Sequence, residues 1–160
     1  SMTVEPPMFV NVVKINTAEE MFNAVKENFD NIDIVIKAAA VADYTPTTIA
    51  HNKIKKTDGD MSIPLKRTTD ILKYLGENKT HQFLCGFSME TENMLENSTK
   101  KFSKKNLDMV VANNLKDKGA GFGTDTNLIT IITKDNVNQL PLMSKEDVAN
   151  SILDEILKNM

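Results

Sequence analysis

The sequence predicts an α/β fold in which helices cover both faces of a parallel sheet, followed by a C-terminal hairpin and a covering helix. Apolar segments rich in β-branched residues alternate along the chain with segments of helical periodicity, and this alternation is typical of β-α-β units. Residues 32–38 form a nearly continuous apolar run, as in a strand that is covered on both faces. The length of 160 residues fits one domain.

The first predicted unit is a strand, a helix and a second strand. Residues 9–15 are rich in β-branched side chains and predict the first strand. Thr17, with Glu20 three positions later, has the pattern of a capping box that opens a helix. Residues 32–38 then return as the second strand, which we expect to be central in the sheet.

The rest of the chain repeats this alternation. Pro64 suggests that a short strand over residues 61–65 lies at an edge. Thr69 is expected to cap a helix that begins at Asp70. The later predictions are a strand over 82–87, a helix over 91–106, a strand over 108–112, a glycine-bearing loop over 118–127, a hairpin from 128–133 and 139–142, and a final helix capped by Ser144 and Asp147.

Composition narrows the class of protein. A hydrophobic content of 41% without a long apolar segment predicts a globular protein outside the membrane. The single cysteine cannot form an internal disulfide, so we expect a cytoplasmic location. The net charge of −3 gives no general attraction to nucleic acid. We therefore expect a small-molecule partner.

The carboxyl ends of the predicted strands indicate where a ligand would bind, because ligands of parallel sheets lie beyond those ends. The small side chains after the strand at 32–38 would let a flat ring approach the backbone closely. Lysines suit the anionic oxygens of a polyphosphate, although lysine pairs are more often plain solvated surface. Cys85 is expected to be an inert core thiol, and the isolated His51 and His81 predict no metal site.

Several unusual motifs occur in order between residues 15 and 156, and together they resemble the phosphopantothenoylcysteine synthetase family. They are KAAAVADYTP, NKIKK, KRTTDIL, CGFSMET, KKFSKKNLDMVVAN and GFGTDTNLITII. The resemblance implies a Rossmann-like, three-layer α/β fold that works as a homodimer. It also implies an amide ligase that joins 4′-phosphopantothenate to L-cysteine, with CTP or, as in eukaryotic relatives, ATP as the co-substrate together with Mg²⁺.

The resemblance also assigns roles to residues of this chain. It implies that the catalytic residues are Lys53, Lys55 and Lys56, with Lys53 foremost. The nucleotide-binding residues that it implies are Lys37, Ala38, Ala39, Asp43, Lys53, Lys66, Arg67, Thr68, Thr69, Phe87, Lys101 and Lys105. Lys101 and Lys105 are four positions apart, which places both amines on one helix face. Metal ligands remain unassigned, and Mg²⁺ is expected to be held by phosphate oxygens and water.

The family pattern is incomplete in this chain. Relatives begin with a strand and a glycine-rich turn that we do not find before residue 3, so we expect an amino-terminally truncated synthetase domain over 3–160, with Ser1 and Met2 left over from cloning. We expect no FMN. A silent nucleotide-binding module is the first alternative. An NAD(P)-dependent oxidoreductase is the second, and the absence of a G-x-G-x-x-G motif disfavours it.

Overall fold

The computed structural model describes residues 5–50, 52–56, 58–90, 94–114 and 124–160. The chain forms two compact units: Ser1–Asp30 with Val41–Thr69 is the first unit, and Asn31–Ala40 with Asp70–Met160 is the second. No helix of the described residues is both long and apolar enough to cross a membrane.

The described residues contain four α-helices and nine strands. The helices are α1 (Ala18–Asn28), α2 (Ile71–Asn78), α3 (Met94–Lys104) and α4 (Lys145–Asn159), and a short 3-10 helix spans Phe29–Asn31. The strands are β1 (Ile34–Lys37), β2 (Tyr44–Pro46), β3 (Leu65–Arg67), β4 (Phe83–Glu90), β5 (Met109–Asn114), β6 (Thr126–Asn127), β7 (Ile129–Thr133), β8 (Val137–Gln139) and β9 (Met143–Ser144).

The second unit is built on a five-stranded sheet with the order β1-β4-β5-β7-β8. β1, β4 and β5 run parallel to one another. β7 runs antiparallel to β5 and forms a hairpin with β8. The α/β class, the parallel sheet and the C-terminal hairpin are therefore confirmed, although the second strand of the hairpin is Val137–Gln139 and not 139–142.

Side chains of β4 alternate between the two faces of this sheet. Cys85 belongs to the core that the sheet forms with Ile152 and Ile156 of α4. On the other face, a Cβ at Gly86 would lie 2.5 Å from Leu72 of α2, and Ser88 accepts a hydrogen bond from Lys101 of α3. Helices thus cover both faces, which confirms three layers.

Two of the three predicted helix caps are confirmed. Thr17 Oγ accepts from the N–H of Glu20, and Ser144 Oγ accepts from the N–H of Asp147. The prediction that Thr69 caps α2 is wrong by one residue, because Asp70 is the N-cap and its carboxylate accepts from the N–H of Lys73. An aspartate is at least as good an N-cap as a threonine.

Three strand predictions need correction. Residues 9–15 form no strand, and Phe9 is fully exposed with φ of 67°, because β-branched residues make a strand only against a partner. The strand predicted over 61–65 instead begins at Leu65. β1 was expected to be central and fully covered, yet among the described residues it pairs only with β4, and Ile36 is 41% exposed.

The first unit contains α1 and the antiparallel pair β2 and β3, in which Tyr44 is opposite Arg67. The N–H and the hydroxyl of Thr47 both donate to the carbonyl oxygen of Pro64, which extends this pairing by one position. Most of the predicted glycine-bearing loop over 118–127 lies outside the described residues. Its last two positions form β6, which pairs with β9.

Candidate functional site

A small cavity beside the carboxyl end of β1 and the middle of β4 gathers three lysines of the second unit. Its volume is about 80 Å³, and Lys37, Lys101, Lys105 and Ser88 are among its lining residues. Lys101 Nζ donates to the Ser88 hydroxyl at 3.0 Å, and Lys37 Nζ donates to the Ala39 carbonyl oxygen at 3.0 Å. Three ammonium groups around one cleft create a positive potential suited to a polyanion. We call this the lysine cavity.

Lys105 reaches the lysine cavity because of a close contact between two helices. It follows the end of α3, where its backbone N–H donates to the Lys101 carbonyl oxygen at 3.0 Å. Asn106 is in the left-handed region with φ of 50°, and its side chain donates to the Gly76 carbonyl oxygen at 2.9 Å. Gly76 has no side chain to obstruct this contact. The spacing of the lysines is a sequence property, but the contact that fixes their position is tertiary.

Asp70 holds Lys105 at the cavity. Lys105 Nζ lies 2.9 Å from Asp70 Oδ2 and 3.1 Å from Oδ1. Burial alone would raise the pKa of the Asp70 carboxyl, but hydrogen bonds from Lys105 and from the Lys73 N–H, together with the charges of Lys105 and Lys37, lower that pKa below its usual value. Asp70 therefore stays ionised and orients the lysine.

Asp70→Asn is expected to lower the melting temperature at pH 7 modestly, because the carboxylate is 45% exposed and solvent screens its ion pair. Asparagine still caps α2, so the variant removes mainly the charge. A lowered folded-state pKa stabilises the fold above the unfolded pKa of about 3.9, and this contribution is lost as the pH falls through the folded pKa. The melting temperatures of the wild type and of Asp70→Asn should therefore converge as the pH falls from 7 to 2. A difference in melting temperature that does not depend on pH would contradict this account.

A larger cavity lies on the α4 face of the same sheet. Its volume is about 460 Å³, and most of its lining is apolar, including Phe87, Met89 and Val148. Ala38, Ala39 and Ala40 form part of its wall. We call this the alanine cavity. Phe87 lines both cavities, and Lys37 of the lysine cavity directly precedes Ala38 of the alanine cavity.

Polar side chains of the alanine cavity were not among the predicted site residues. Asn113 at the end of β5, Asn127 of β6 and Lys145 at the start of α4 line it, and Asn113 is only 8% exposed. Strand alternation could have revealed Asn113, since Met109 and Val111 precede it at even spacing on the core face. Asp70 and Ser88 were also missed, because their roles depend on lysines distant in the chain.

The other predicted binding residues belong to the first unit. Lys66, Arg67, Thr68 and Thr69 line a cavity of about 410 Å³ beside the start of α1. The Arg67 guanidinium lies 5.8 Å from the centroid of the Tyr44 ring.

Thr68 of this segment forms hydrogen bonds with the main chain at Ala42 and Asp43. The N–H of Thr68 donates to the Asp43 carbonyl oxygen, and its hydroxyl donates to that of Ala42. These contacts order β2 and β3.

The three predicted catalytic lysines also belong to the first unit. Lys53, Lys55 and Lys56 are exposed in a segment without regular structure. Their catalytic role stays a prediction.

The structure also bears on the predictions made for Cys85 and for metal ligands. Cys85 is fully buried, and burial raises the pKa of its thiol to about 12, so it is the inert core thiol that we expected. Within the described ranges, no group of three or more His, Cys, Asp or Glu side chains could hold a metal ion.

Comparison with known proteins identifies the family of the chain. The family model of the DNA/pantothenate metabolism flavoprotein C-terminal domain matches residues 1–160. The chain is 50% identical over 153 residues to the coenzyme A biosynthesis bifunctional protein CoaBC of Bacillus subtilis. The aligned region covers 95% of this chain but only 38% of that relative.

Two solved structures share the fold. The C-terminal domain of a CoaBC protein superposes with a TM-score of 0.79 at 41% identity, covering 96% of this chain and 68% of that one. A Cab2 variant, solved with phosphopantothenate-cysteine, superposes with a TM-score of 0.71 at 18% identity, covering 91% of this chain and 52% of that one.

Proposed function

The chain belongs to the family of the DNA/pantothenate metabolism flavoprotein C-terminal domain, and we propose that it is a phosphopantothenate–cysteine ligase domain of coenzyme A biosynthesis. It would activate the carboxylate of 4′-phosphopantothenate with a nucleoside triphosphate, CTP by preference, and then form the amide with L-cysteine. The names of the relatives support this proposal. The chain spans less than half of the curated relative from Bacillus subtilis, so the complete activity is part of the proposal.

One observation of the second unit carries the nucleotide part of this proposal. Lys37, Lys101 and Lys105 converge on one cavity, although 64 positions separate the first two in the chain (101 − 37). Three cations are more than a neutral substrate needs, whereas a triphosphate carries several negative charges. The adjoining alanine cavity is apolar and large enough for a nucleoside, so the two cavities together suit a whole nucleotide.

The proposed chemistry has two steps. A carboxylate oxygen of phosphopantothenate attacks the α-phosphorus, the bond from that phosphorus to the bridging oxygen breaks, and pyrophosphate leaves with the bond's electron pair. The amine of cysteine then attacks the acyl carbon, loses a proton and displaces the nucleoside monophosphate. Both leaving groups are anions, and cations held in place lower the free energy of the transition states in which that charge develops.

We assign these tasks from the cavity contacts for the second unit and from the family resemblance for the first unit. Lys101 and Lys105 hold the phosphate chain, with Ser88 orienting Lys101 and Asp70 orienting Lys105. Lys53, Lys55 and Lys56 neutralise charge at the reacting phosphate. Lys66, Arg67, Thr68, Thr69 and Asp43 contribute further nucleotide contacts.

Magnesium fits this arrangement as part of the nucleotide complex. The lysine cavity offers amines and a hydroxyl, and the neighbouring carboxylate of Asp70 is already paired with Lys105. Such a donor set suits phosphate oxygens, which bring Mg²⁺ with them. When bound, the ion neutralises phosphate charge.

Thermal melting with CTP and Mg²⁺ tests nucleotide binding. A ligand that binds only the native state adds about 2.7 kcal/mol to the free energy of unfolding at 100 times its Kd, so the melting temperature should rise with CTP and not with NAD(P). Lys101→Met should largely abolish the rise. Lys100→Met is the matched control, because Lys100 pairs with Glu96 on α3 and lies outside both cavities.

Pyrophosphate release separates a ligase from a silent module. It should require CTP, Mg²⁺ and phosphopantothenate together, and cysteine should then yield the amide. Binding without release would favour the silent nucleotide-binding module. A rise in melting temperature with NAD(P) alone would overturn the ligase proposal.

We further propose a cytoplasmic homodimer. Large apolar side chains of the first unit are more than half exposed, among them Met61, Ile63 and Leu65, and such residues favour burial against a partner of the same kind. Sedimentation equilibrium should give twice the 17.8 kDa chain mass.

A further inference from the structure

We propose that the Asp70 carboxylate competes with bound phosphate for Lys105, which weakens the binding of polyphosphate and so favours the release of pyrophosphate. This inference rests on the proposed function, since it assumes that a phosphate chain binds in the lysine cavity. In the empty site, Asp70 orients Lys105. In the occupied site, the same carboxylate opposes the phosphate that the lysine attracts.

The ammonium group of Lys105 already has an anion beside it. Its Nζ lies 2.9 Å from Oδ2 and 3.1 Å from Oδ1 of Asp70, and a phosphate oxygen would approach an ammonium group to a similar distance. An ammonium group has three protons to donate, and both oxygens of Asp70 lie within reach of them. A phosphate at Lys105 therefore has to share these protons with Asp70 or displace the carboxylate.

Asp70 is fixed beside Lys105 by its own helix. It is the N-cap of α2, and its Oδ1 accepts from the Lys73 N–H at 3.1 Å. Loss of such a cap costs about 1 kcal/mol of stability, so movement of the side chain away from the helix start is opposed. The carboxylate therefore stays near the cavity when a ligand arrives, and its negative charge stays with it.

The backbone beside Lys105 is fixed by the same helix. The side chain of the next residue, Asn106, donates to the Gly76 carbonyl oxygen at 2.9 Å, and Gly76 belongs to α2. One helix thus holds both the carboxylate and the chain that carries the lysine. A ligand at Lys105 therefore cannot separate the two charges without disturbing the contact between the end of α3 and α2.

Orientation alone does not require a carboxylate at position 70. Lys101 Nζ donates to the Ser88 hydroxyl at 3.0 Å, and an uncharged acceptor of this kind directs an ammonium group without repelling an anion. A carboxylate directs the ammonium group and also repels the anion, because like charges a few ångströms apart interact unfavourably. The charge of Asp70 thus has an effect on phosphate that its positioning role does not explain.

The charge of Asp70 acts on more than one lysine of the cavity. Burial raises the pKa of its carboxyl, but hydrogen bonds and the charges of Lys105 and Lys37 lower it further. These interactions are mutual, so the carboxylate also offsets part of the charge of both lysines. Three ammonium groups and one carboxylate leave two net positive charges (3 − 1) instead of three.

A weaker hold on phosphate suits a ligase that must release pyrophosphate. Product release limits the turnover of many enzymes, and interactions that bind the ground state as strongly as the transition state do not raise kcat. Because Asp70 is ready to accept Lys105 again, the ion pair re-forms as pyrophosphate leaves. Its formation offsets part of the free energy that is lost when the phosphate contact breaks.

Asp70→Asn tests the inference, because asparagine keeps the cap of α2 and removes the charge. By isothermal titration calorimetry with Mg²⁺ at low ionic strength, the Kd values of pyrophosphate and of inorganic tripolyphosphate should fall at least about 3-fold. This is the effect of removing one unit charge about 6 Å away in bulk water. Glu77→Gln is the matched control, since it removes the same charge from a 62% exposed position on α2 and should leave both Kd values unchanged.

The outcomes separate this inference from the proposed function. A higher Kd of pyrophosphate in Asp70→Asn means that the carboxylate only positions Lys105 and overturns the inference. An unchanged Kd, or an equal fall in Glu77→Gln, also overturns it. In each case, binding of CTP and tripolyphosphate by the wild type leaves the proposed nucleotide site standing, whereas binding of neither by the wild type overturns both.

A second variant decides the question if Asp70→Asn does not fold. Asp70→Ser also caps a helix without a charge, and it should lower the Kd of pyrophosphate in the same way. An unchanged or higher Kd in that variant overturns the inference.

Discussion

Gly76→Ala is expected to destabilise the protein by about 3 kcal/mol, at the upper end of the range for overpacking a core. A glycine in a helix usually costs about 1 kcal/mol relative to alanine, so the replacement would ordinarily be favourable. Here a Cβ at position 76 would lie 1.8 Å from the carbonyl oxygen and 2.8 Å from the carbonyl carbon of Lys105. The obstacle is backbone, which cannot rotate aside as a flexible side chain can. The clash therefore outweighs the gain in helix propensity, and the free energy of unfolding should fall.

Urea unfolding followed by circular dichroism measures this change. Glu77→Ala is the matched control, because its side chain is 62% exposed on the same helix and its ion pair with Lys73 is a surface pair, worth under about 1 kcal/mol. Gly76→Ala should also weaken CTP binding, since the displaced carbonyl belongs to Lys105. Equal stabilities of Gly76→Ala and the wild type would contradict the helix contact described above.

Lys53→Gln is expected to reduce pyrophosphate release by about 100-fold or more, as loss of one group that stabilises transition-state charge costs about 3 to 4 kcal/mol. Glutamine keeps much of the side-chain length and removes the charge. Because Lys53 is exposed in an irregular segment, the melting temperature should not change. Release would be measured under single-turnover conditions with CTP, Mg²⁺ and phosphopantothenate.

Lys14→Gln is the matched control for charge, since Lys14 is an exposed lysine of the same unit that has no proposed contact with substrate. CTP binding should persist in Lys53→Gln if the lysine acts mainly on the reacting phosphate. Wild-type pyrophosphate release by that variant would remove Lys53 from the proposed mechanism.

Local chemistry allowed the helix caps and the strongest strands to be predicted from the sequence. Thr17 and Ser144 cap helices through bonds to N–H groups three residues away, and such short-range bonds are visible in the order of residues. The hairpin of β7 and β8 was also predictable, because alternation and a turn lie within a few positions. The strand over residues 9–15 was wrong because it needed a distant partner, whereas the cap at Thr69 was a local error, since the neighbouring Asp70 caps the helix instead.

The candidate site likewise combines features that the sequence predicted with features that depend on tertiary contacts. Motif order identified Lys37, Lys101, Lys105 and Phe87 as residues of interest, and the spacing of Lys101 and Lys105 predicted a shared helix face. Their gathering around one cavity depends on the pairing of β1 with β4 and on the packing of α3. The role of Asp70 toward Lys105 spans 35 positions, and no local pattern reports a contact of that kind.

By itself, the sequence determined the α/β class, the family and the residues from which a nucleotide site could be built. These follow from periodicity, capping and motif order, which act over a few neighbouring positions. Only the tertiary structure decided that β1 lies at the end of the described sheet, that two cavities share Phe87, and that asparagines form a polar wall beside the alanines. Strand pairing and helix packing join residues that are distant in the chain, and the energies that select those pairings arise only when the surfaces meet.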